Sequence, residues 1–167
     1  MAHVKEELHQ VDKMNLWDWH LPEIAAAETQ IKDLESYLGF SLDPQYKSFL
    51  TCANGWKSLY HDVDLFGTEC LMNGDKFAKA NDLMRIVIES CDDENFAIQE
   101  ILPIAVSNQD IDVFIINNAN SSSPGIVTWF AGYKIDTFLN FEEFFMSMIE
   151  YNKRGIIKLK KRFSITS

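Results

Sequence analysis

The stretch LDPQYKSFLTCANGW, residues 42–56, carries the signals that begin a helix, run along it and end it. Asp43 is suited to cap the N-terminus, and Pro44 fits the first turn, where the amide hydrogen that proline lacks is not needed. The apolar side chains share one face at helical spacing: Tyr46, Phe49, Leu50 and Ala53. Asn54-Gly55 then ends the pattern. The stretch therefore predicts a short amphipathic helix that needs another apolar surface to cover it.

A second helix is predicted just before this one, beginning near Pro22 and ending at Gly39. Its apolar residues recur at spacings of three and four: Ile24, Ala27, Ile31, Leu34 and Leu38. Because neither stripe is stable in water, we expect the second half of this stripe to pack against Tyr46, Phe49 and Leu50. The two helices then form a hairpin, which a further layer of the protein must cover.

The rest of the chain predicts a sheet and two more helices. The strand candidates are short apolar runs, at residues 63–66, 101–106, 111–116 and 126–130. One helix is expected to begin at Asn81, and a closing helix to begin at Asn140 and end at Gly155. Glu142 and Glu143 suit the positive end of the closing helix's dipole. The pattern predicts a single domain in which a helical hairpin precedes a sheet and a helix follows it.

Charge divides the chain into unequal parts. Residues 1–21 are expected to form an arm that docks through its tryptophans, residues 22–152 the domain, and residues 153–167 a basic tail or edge strand. Up to residue 152 there are 9 basic and 25 acidic residues, a formal charge of −16, whereas the last fifteen residues carry +6. An acidic body repels nucleic acid and anionic membranes and attracts basic proteins. No run of residues is apolar enough to span a bilayer, so we expect a cytoplasmic protein.

Several motifs resemble those of the SMI1/KNR4 family, also called the SUKH superfamily. The first lies in the opening stretch, where the spacing L-x-P-x-Y-x-x-F-L runs from Leu42 to Leu50 and Asn54-Gly55 follows. The others come before and after it: Ile31, Leu34 and Glu35 followed by Leu38-Gly39, then Leu65-Phe66-Gly67, Leu102-Pro103-Ile104-Ala105, and Phe141-Glu142-Glu143-Phe144-Phe145. The resemblance extends over about residues 22–150.

The resemblance implies a single α+β domain with an antiparallel sheet and helices packed around it. Such a domain binds other proteins, without enzymatic activity and without a cofactor or metal. Bacterial members look mostly like immunity proteins, which neutralise a cognate polymorphic or contact-dependent toxin by binding it. A basic toxin, such as a nuclease domain, would suit the acidic body. Fungal members look like regulatory proteins, so the alternative is a stand-alone regulatory or scaffolding module that binds an endogenous protein.

Aromatic side chains among carboxylates are typical of protein-binding surfaces, since the rings supply contact area and the charges steer a basic partner. We therefore expect the partner to bind around Trp56 or Tyr60, on an acidic surface that includes Asp62, Asp64, Asp92, Asp93 and Glu94. A third hypothesis is a metal-dependent enzyme. It uses two D-x-D pairs, Asp62 with Asp64 and Asp110 with Asp112, because alternate residues of a strand point to the same face.

Overall fold

The computed structural model describes residues 1–90 and 97–164. Within them the helices are α1 (Ala2–Val11), α2 (Glu28–Leu38), α3 (Pro44–Leu50), α4 (Thr68–Asn73), α5 (Asp75–Ser90) and α6 (Phe141–Ser164). The strands are β1 (Trp56–Tyr60), β2 (Val63–Leu65), β3 (Ile101–Ser107), β4 (Asp112–Asn117), β5 (Val127–Ala131) and β6 (Lys134–Phe138). In this part of the chain, no helix combines the length and apolar character that a membrane span requires.

The strands form one antiparallel sheet in which each pairs with its neighbour in the sequence, from β1 to β6. Every residue of β3 is buried, so helices cover both faces at the centre of the sheet. On one face, Phe144 of α6 contacts Phe114 of β4 and Phe138 of β6, with ring centroids 5.3 and 5.8 Å apart. Helix α5 packs against β3 and β4. The predicted α+β architecture is confirmed.

The opening stretch forms the predicted helix, α3. The Asp43 carboxylate accepts hydrogen bonds from the backbone N–H groups of Gln45 and Tyr46, both 2.9 Å long, so it caps the helix. Tyr46 and Leu50 are fully buried in the same core as Ile31 and Leu34 of α2. Phe49 and Leu38 lie at the edge of that core and are only partly buried. Both predicted helices are thus present and share one core, and an ion pair between Lys47 and Glu35 (2.9 Å) joins them.

Helix α2 begins six residues after Pro22, and the expectation that Ile24 lies on its apolar stripe is wrong. Residues 23–26 form no helix, because their backbone groups pair with the end of α3 and the residues after it instead of forming a helical turn. The N–H of Glu23 donates to the carbonyl of Gly55 (3.1 Å), and the N–H of Asn54 donates to the carbonyl of Ile24 (3.3 Å). The side chain of Ile24 is consequently 91% exposed. At the other end, Gly39 ends α2 as predicted, with φ +77°.

The closing helix does not end at Gly155, and residues 153–164 of the predicted tail or edge strand form the second half of α6. Helix α1, in the segment predicted to be an arm, provides the reason. Ile156 and Leu159 are buried against Leu8 of α1, and a Cβ atom on Gly155 would lie 3.8 Å from the Leu8 side chain. The apolar residues of the tail therefore continue the helical stripe of α6 instead of alternating along a strand.

One further expectation about the elements needs revision. Asn81 lies inside α5, which begins at Asp75, and so does not cap it. The arm does dock through a tryptophan, as expected, because the Trp17 ring stacks on His61 with centroids 4.5 Å apart. The sequence analysis did not predict four of the elements: α1, β1, α4 and β6. Each has at most ten residues, which is too short for a clear periodic pattern of apolar side chains.

Candidate partner-binding cleft

A cleft of about 450 Å³ opens beside the hairpin of β1 and β2. Its floor is apolar, because Trp56, Leu65 and Phe66 line it, and each of them is at most 5% exposed. Charged side chains from several segments surround this floor: Glu23, Lys57, Asp64, Glu69 and Lys76. An apolar depression within a charged rim is suited to receive an anchoring side chain from another protein.

Two short motifs of the sequence meet at the wall of the cleft. The Asn54 side chain accepts a hydrogen bond from the N–H of Thr68 (2.7 Å) and donates one to the Thr68 hydroxyl (3.0 Å). A Cβ atom on Gly67 would lie 2.0 Å from the Asn54 carbonyl oxygen, and one on Gly55, where φ is +99°, would lie 2.7 Å from the Gly67 nitrogen. Glycine is therefore required at both positions, and these motif residues shape the cleft.

Two ion pairs occupy the rim. The buried Asp64 carboxylate accepts hydrogen bonds from the backbone N–H of Ser58 (2.8 Å) and from the Lys76 ammonium group. The Glu23 carboxylate lies 3.0 Å from the Lys57 ammonium nitrogen, and its hydrogen bond and charge raise the pKa of Lys57. Both lysines thus reduce the negative charge that the carboxylates would otherwise present to a partner.

Besides the exposed ion pair of Glu23 and Lys57, the rim exposes Ile24 and Glu69. Ile24 lines the cleft while 91% of its surface remains in contact with water. Glu69, in the first turn of α4, is also exposed. Cys70 lines the same wall, and burial raises the pKa of its thiol, which favours the protonated and less nucleophilic form. Residues 23–24 line the cleft because residues 23–26 pair with the end of α3 and the residues after it instead of forming a helix. The apolar periodicity of the sequence therefore did not identify them.

The structure corrects the expected roles of Trp56 and Asp64. Both line the cleft, but Trp56 is 5% exposed, and its indole N–H donates to the carbonyl of His20 (3.0 Å). Asp64 is 4% exposed and neutralised by Lys76. Trp56 therefore supports the floor and does not form an exposed hot spot. Asp64 links the β-hairpin of β1 and β2 to α5 through Lys76, and it does not belong to an open acidic surface.

Tyr60 and Asp62 lie outside this cleft. Tyr60 is half-buried in an aromatic cluster, stacked on His61 at 4.0 Å and in edge contact with Trp129 at 6.1 Å. The Asp62 carboxylate accepts hydrogen bonds from the Ser107 hydroxyl (2.6 Å) and the N–H of Gln109 (2.8 Å). Burial tends to raise the pKa of Asp62, but these hydrogen bonds hold it below its ordinary value. The other three predicted site residues, Asp92, Asp93 and Glu94, lie outside the described residues.

The aspartates of the D-x-D pairs have separate partners. Asp62 and Asp64 bond to the different groups described above, whereas the Asp112 carboxylate accepts a hydrogen bond from the indole N–H of Trp129 (2.7 Å). Burial raises the pKa of Asp112, and the bond from Trp129 partly offsets this effect. Across residues 1–90 and 97–164, no three His, Cys, Asp or Glu side chains gather in a group able to hold a metal ion. Nothing in this arrangement favours the metal-dependent hypothesis.

Comparison with protein families identifies a match over most of the chain. The model of the SMI1 / KNR4 family (SUKH-1) matches residues 25–147, which include α2, the whole sheet and the first turns of α6. Helix α1 and the second half of α6 lie outside the matched range. Comparison with individual curated proteins gives no match.

Proposed function

We propose a function from the premise that this chain belongs to the SMI1/KNR4 family (SUKH-1): it is a cytoplasmic immunity protein that binds and neutralises a cognate polymorphic or contact-dependent toxin. The family match over residues 25–147 is the observation that carries the proposal. Neutralisation is by occlusion, so the protein acts without turnover, cofactor or metal.

The charge of the chain supports a basic partner, such as a nuclease domain. The formal net charge of the chain is −10. Because residues 153–167 carry +6, the part of the chain before them carries −16. Long-range attraction accelerates the association of oppositely charged proteins, and salt reduces this effect because it screens exposed charges. The association rate with the toxin should therefore fall as the salt concentration rises.

The cleft beside β1 and β2 is the surface that we assign to the toxin. Ile24 offers a large apolar contact on its rim, and the buried rings of Trp56 and Phe66 provide a rigid floor. Glu69, which is exposed and lies outside the two ion pairs of the rim, supplies a charge for the basic groups around the toxin's anchoring side chain. This surface differs from the acidic surface expected from the sequence, which had Trp56 or Tyr60 near its centre.

The test is the binding kinetics of the full chain against the protein encoded by the adjacent gene. Ile24→Asp should speed dissociation at least tenfold, because it places a charge where an apolar contact is buried. Tyr133→Asp is the matched control, since Tyr133 is 67% exposed and lies at the β5–β6 turn, away from the cleft. Equal effects of the two substitutions would place the toxin elsewhere on the surface.

The kinetics also separate the proposed function from its alternative. If the adjacent protein neither binds this chain nor is toxic to cells that lack it, the immunity function is wrong. An endogenous partner recovered under the same conditions, and lost with Ile24→Asp, would instead indicate the regulatory or scaffolding module.

A further inference from the structure

The solvent face of α6 carries a stripe whose charge reverses at its middle. Six exposed residues form it, spaced by four, four, three, four and four positions: Glu142, Met146, Glu150, Lys153, Ile157 and Lys161. Such spacings keep side chains on one face of a helix with 3.6 residues per turn. Met146 and Ile157 are each 53% exposed, which is unusual for large apolar side chains in the centre of a charged surface.

The stripe is symmetric about the point between Tyr151 and Asn152. Each acidic position of the first half has a lysine at the same distance on the other side, so Glu150 corresponds to Lys153 and Glu142 to Lys161. Met146 corresponds to Ile157 in the same way. If a second copy of the helix runs in the opposite direction, each charged residue of the stripe therefore meets a residue of opposite charge.

We propose that two copies of this chain associate through this stripe, with their α6 helices antiparallel about a two-fold axis. Glu142 then faces Lys161 of the second copy, Glu150 faces its Lys153, and Met146 packs against its Ile157. A two-fold interface uses the same patch on both copies, so every contact occurs twice. The second half of α6 lies outside the range matched by the family model, and the interface does not depend on the toxin-binding function.

Charge complementarity selects a second copy over other partners. A parallel arrangement of the helices would set glutamates against glutamates and lysines against lysines. A nucleic acid or an anionic membrane would meet the carboxylates of the first half as well as the lysines of the second half. The antiparallel helix of another copy meets an opposite charge at all four charged positions of the stripe.

The ion pairs that α6 makes within its own chain leave the stripe accessible to a second copy. Lys153 is 2.7 Å from Glu150 of its own helix, but both side chains are about half exposed and can bond further. The ion pair between Lys160 and Glu7 of α1 lies beside the stripe. Helix α6 has 24 residues and is therefore about 36 Å long, at 1.5 Å per residue. One helix pair buries less area than a standard stable interface, so we expect a reversible dimer that forms at micromolar or higher concentration.

Sedimentation equilibrium of the full chain tests the association. Between roughly 10 μM and 1 mM, where a small interface dissociates, the mean mass should rise from the 19.2 kDa monomer towards twice that value. A mass of 19.2 kDa over the whole range would overturn the proposal.

Charge reversal tests the geometry. The variants Glu142→Lys/Glu150→Lys and Lys153→Glu/Lys161→Glu should each weaken self-association at least tenfold, because each sets like charges against each other. A mixture of the two variants should restore the dimer, which also shows that both chains are folded. The control is Lys134→Glu/Lys158→Glu, whose exposed lysines lie off the stripe and which should associate like the wild type. Association that is unchanged by the stripe variants, or that the mixture does not restore, would refute the antiparallel pairing.

Discussion

The hydroxyl of Tyr46 connects two motifs of the sequence, and its removal should destabilise the fold by a predictable amount. The side chain is fully buried, and the hydroxyl donates a 2.7 Å hydrogen bond to the carbonyl oxygen of Phe66. Burial raises the pKa of Tyr46 well above its ordinary value, so the hydroxyl remains a donor at all physiological pH values. Tyr46→Phe removes this donor and keeps the ring, which packs against Phe141 with centroids 5.1 Å apart.

The expected cost follows from the acceptor that loses its partner. Phe66 is 2% exposed, so water has little access to its carbonyl oxygen once the hydroxyl is gone. Leaving a buried polar group unsatisfied costs about 1 to 3 kcal/mol, and we expect a loss of about 2 kcal/mol in the free energy of unfolding. For a chain of this length, that loss corresponds to a decrease in Tm of about 4 to 8 °C.

Urea unfolding followed by circular dichroism measures this loss. The control is Tyr37→Phe, which makes the same chemical change on α2 at a side chain that is 60% exposed, and it should leave stability unchanged. The denaturant dependence should be the same in both variants, because neither changes the surface exposed on unfolding. A loss below about 0.5 kcal/mol for Tyr46→Phe would refute the reasoning, since it would mean that the Phe66 carbonyl does not depend on the hydroxyl.

Three further predictions concern the cleft wall, α1 and α6. Gly67→Ala should destabilise the protein by more than about 3 kcal/mol in urea unfolding, because its Cβ atom would overlap the backbone of Asn54; a near-neutral substitution would contradict the close approach. Burial lowers the pKa of Lys5 from 10.5 to about 8, so the folded state binds fewer protons than the unfolded state between these values, and α1 docking should strengthen as pH rises through that range. The fluorescence of Trp17 reports this docking, and Lys5→Met should remove the pH dependence. A chain ending at Asn152 should still fold and keep its affinity for the partner within about tenfold, since the main core is formed by residues up to Tyr151. It should lose the α1 helix signal in circular dichroism, because the α6 residues that bury α1 are absent.

Signals that act over a few residues were sufficient to predict α3 and most of the sheet. The cap at Asp43, the proline after it and the glycine stop at Gly39 act on neighbouring backbone groups, so their effect can be recognised in the sequence itself. The central strands are short, nearly continuous apolar runs, as expected for strands that are buried on both faces of a sheet. The candidate site was predicted less well, since only Trp56 and Asp64 of the expected residues line the cleft, and both are buried there.

By itself, the sequence determined the family motifs, the α+β class, the hairpin of α2 and α3, and the excess of acidic charge. The tertiary structure alone decided which side chains are available to a partner. Ile24 belongs to an apolar stripe in the sequence but is exposed, because its backbone pairs with residues near Asn54. Trp56 is hidden beneath the chain at His20, and Asp64 is neutralised by Lys76. Exposure and charge at a site depend on groups that are distant in the chain, whereas helix caps and apolar periodicity depend on neighbours only a few residues away.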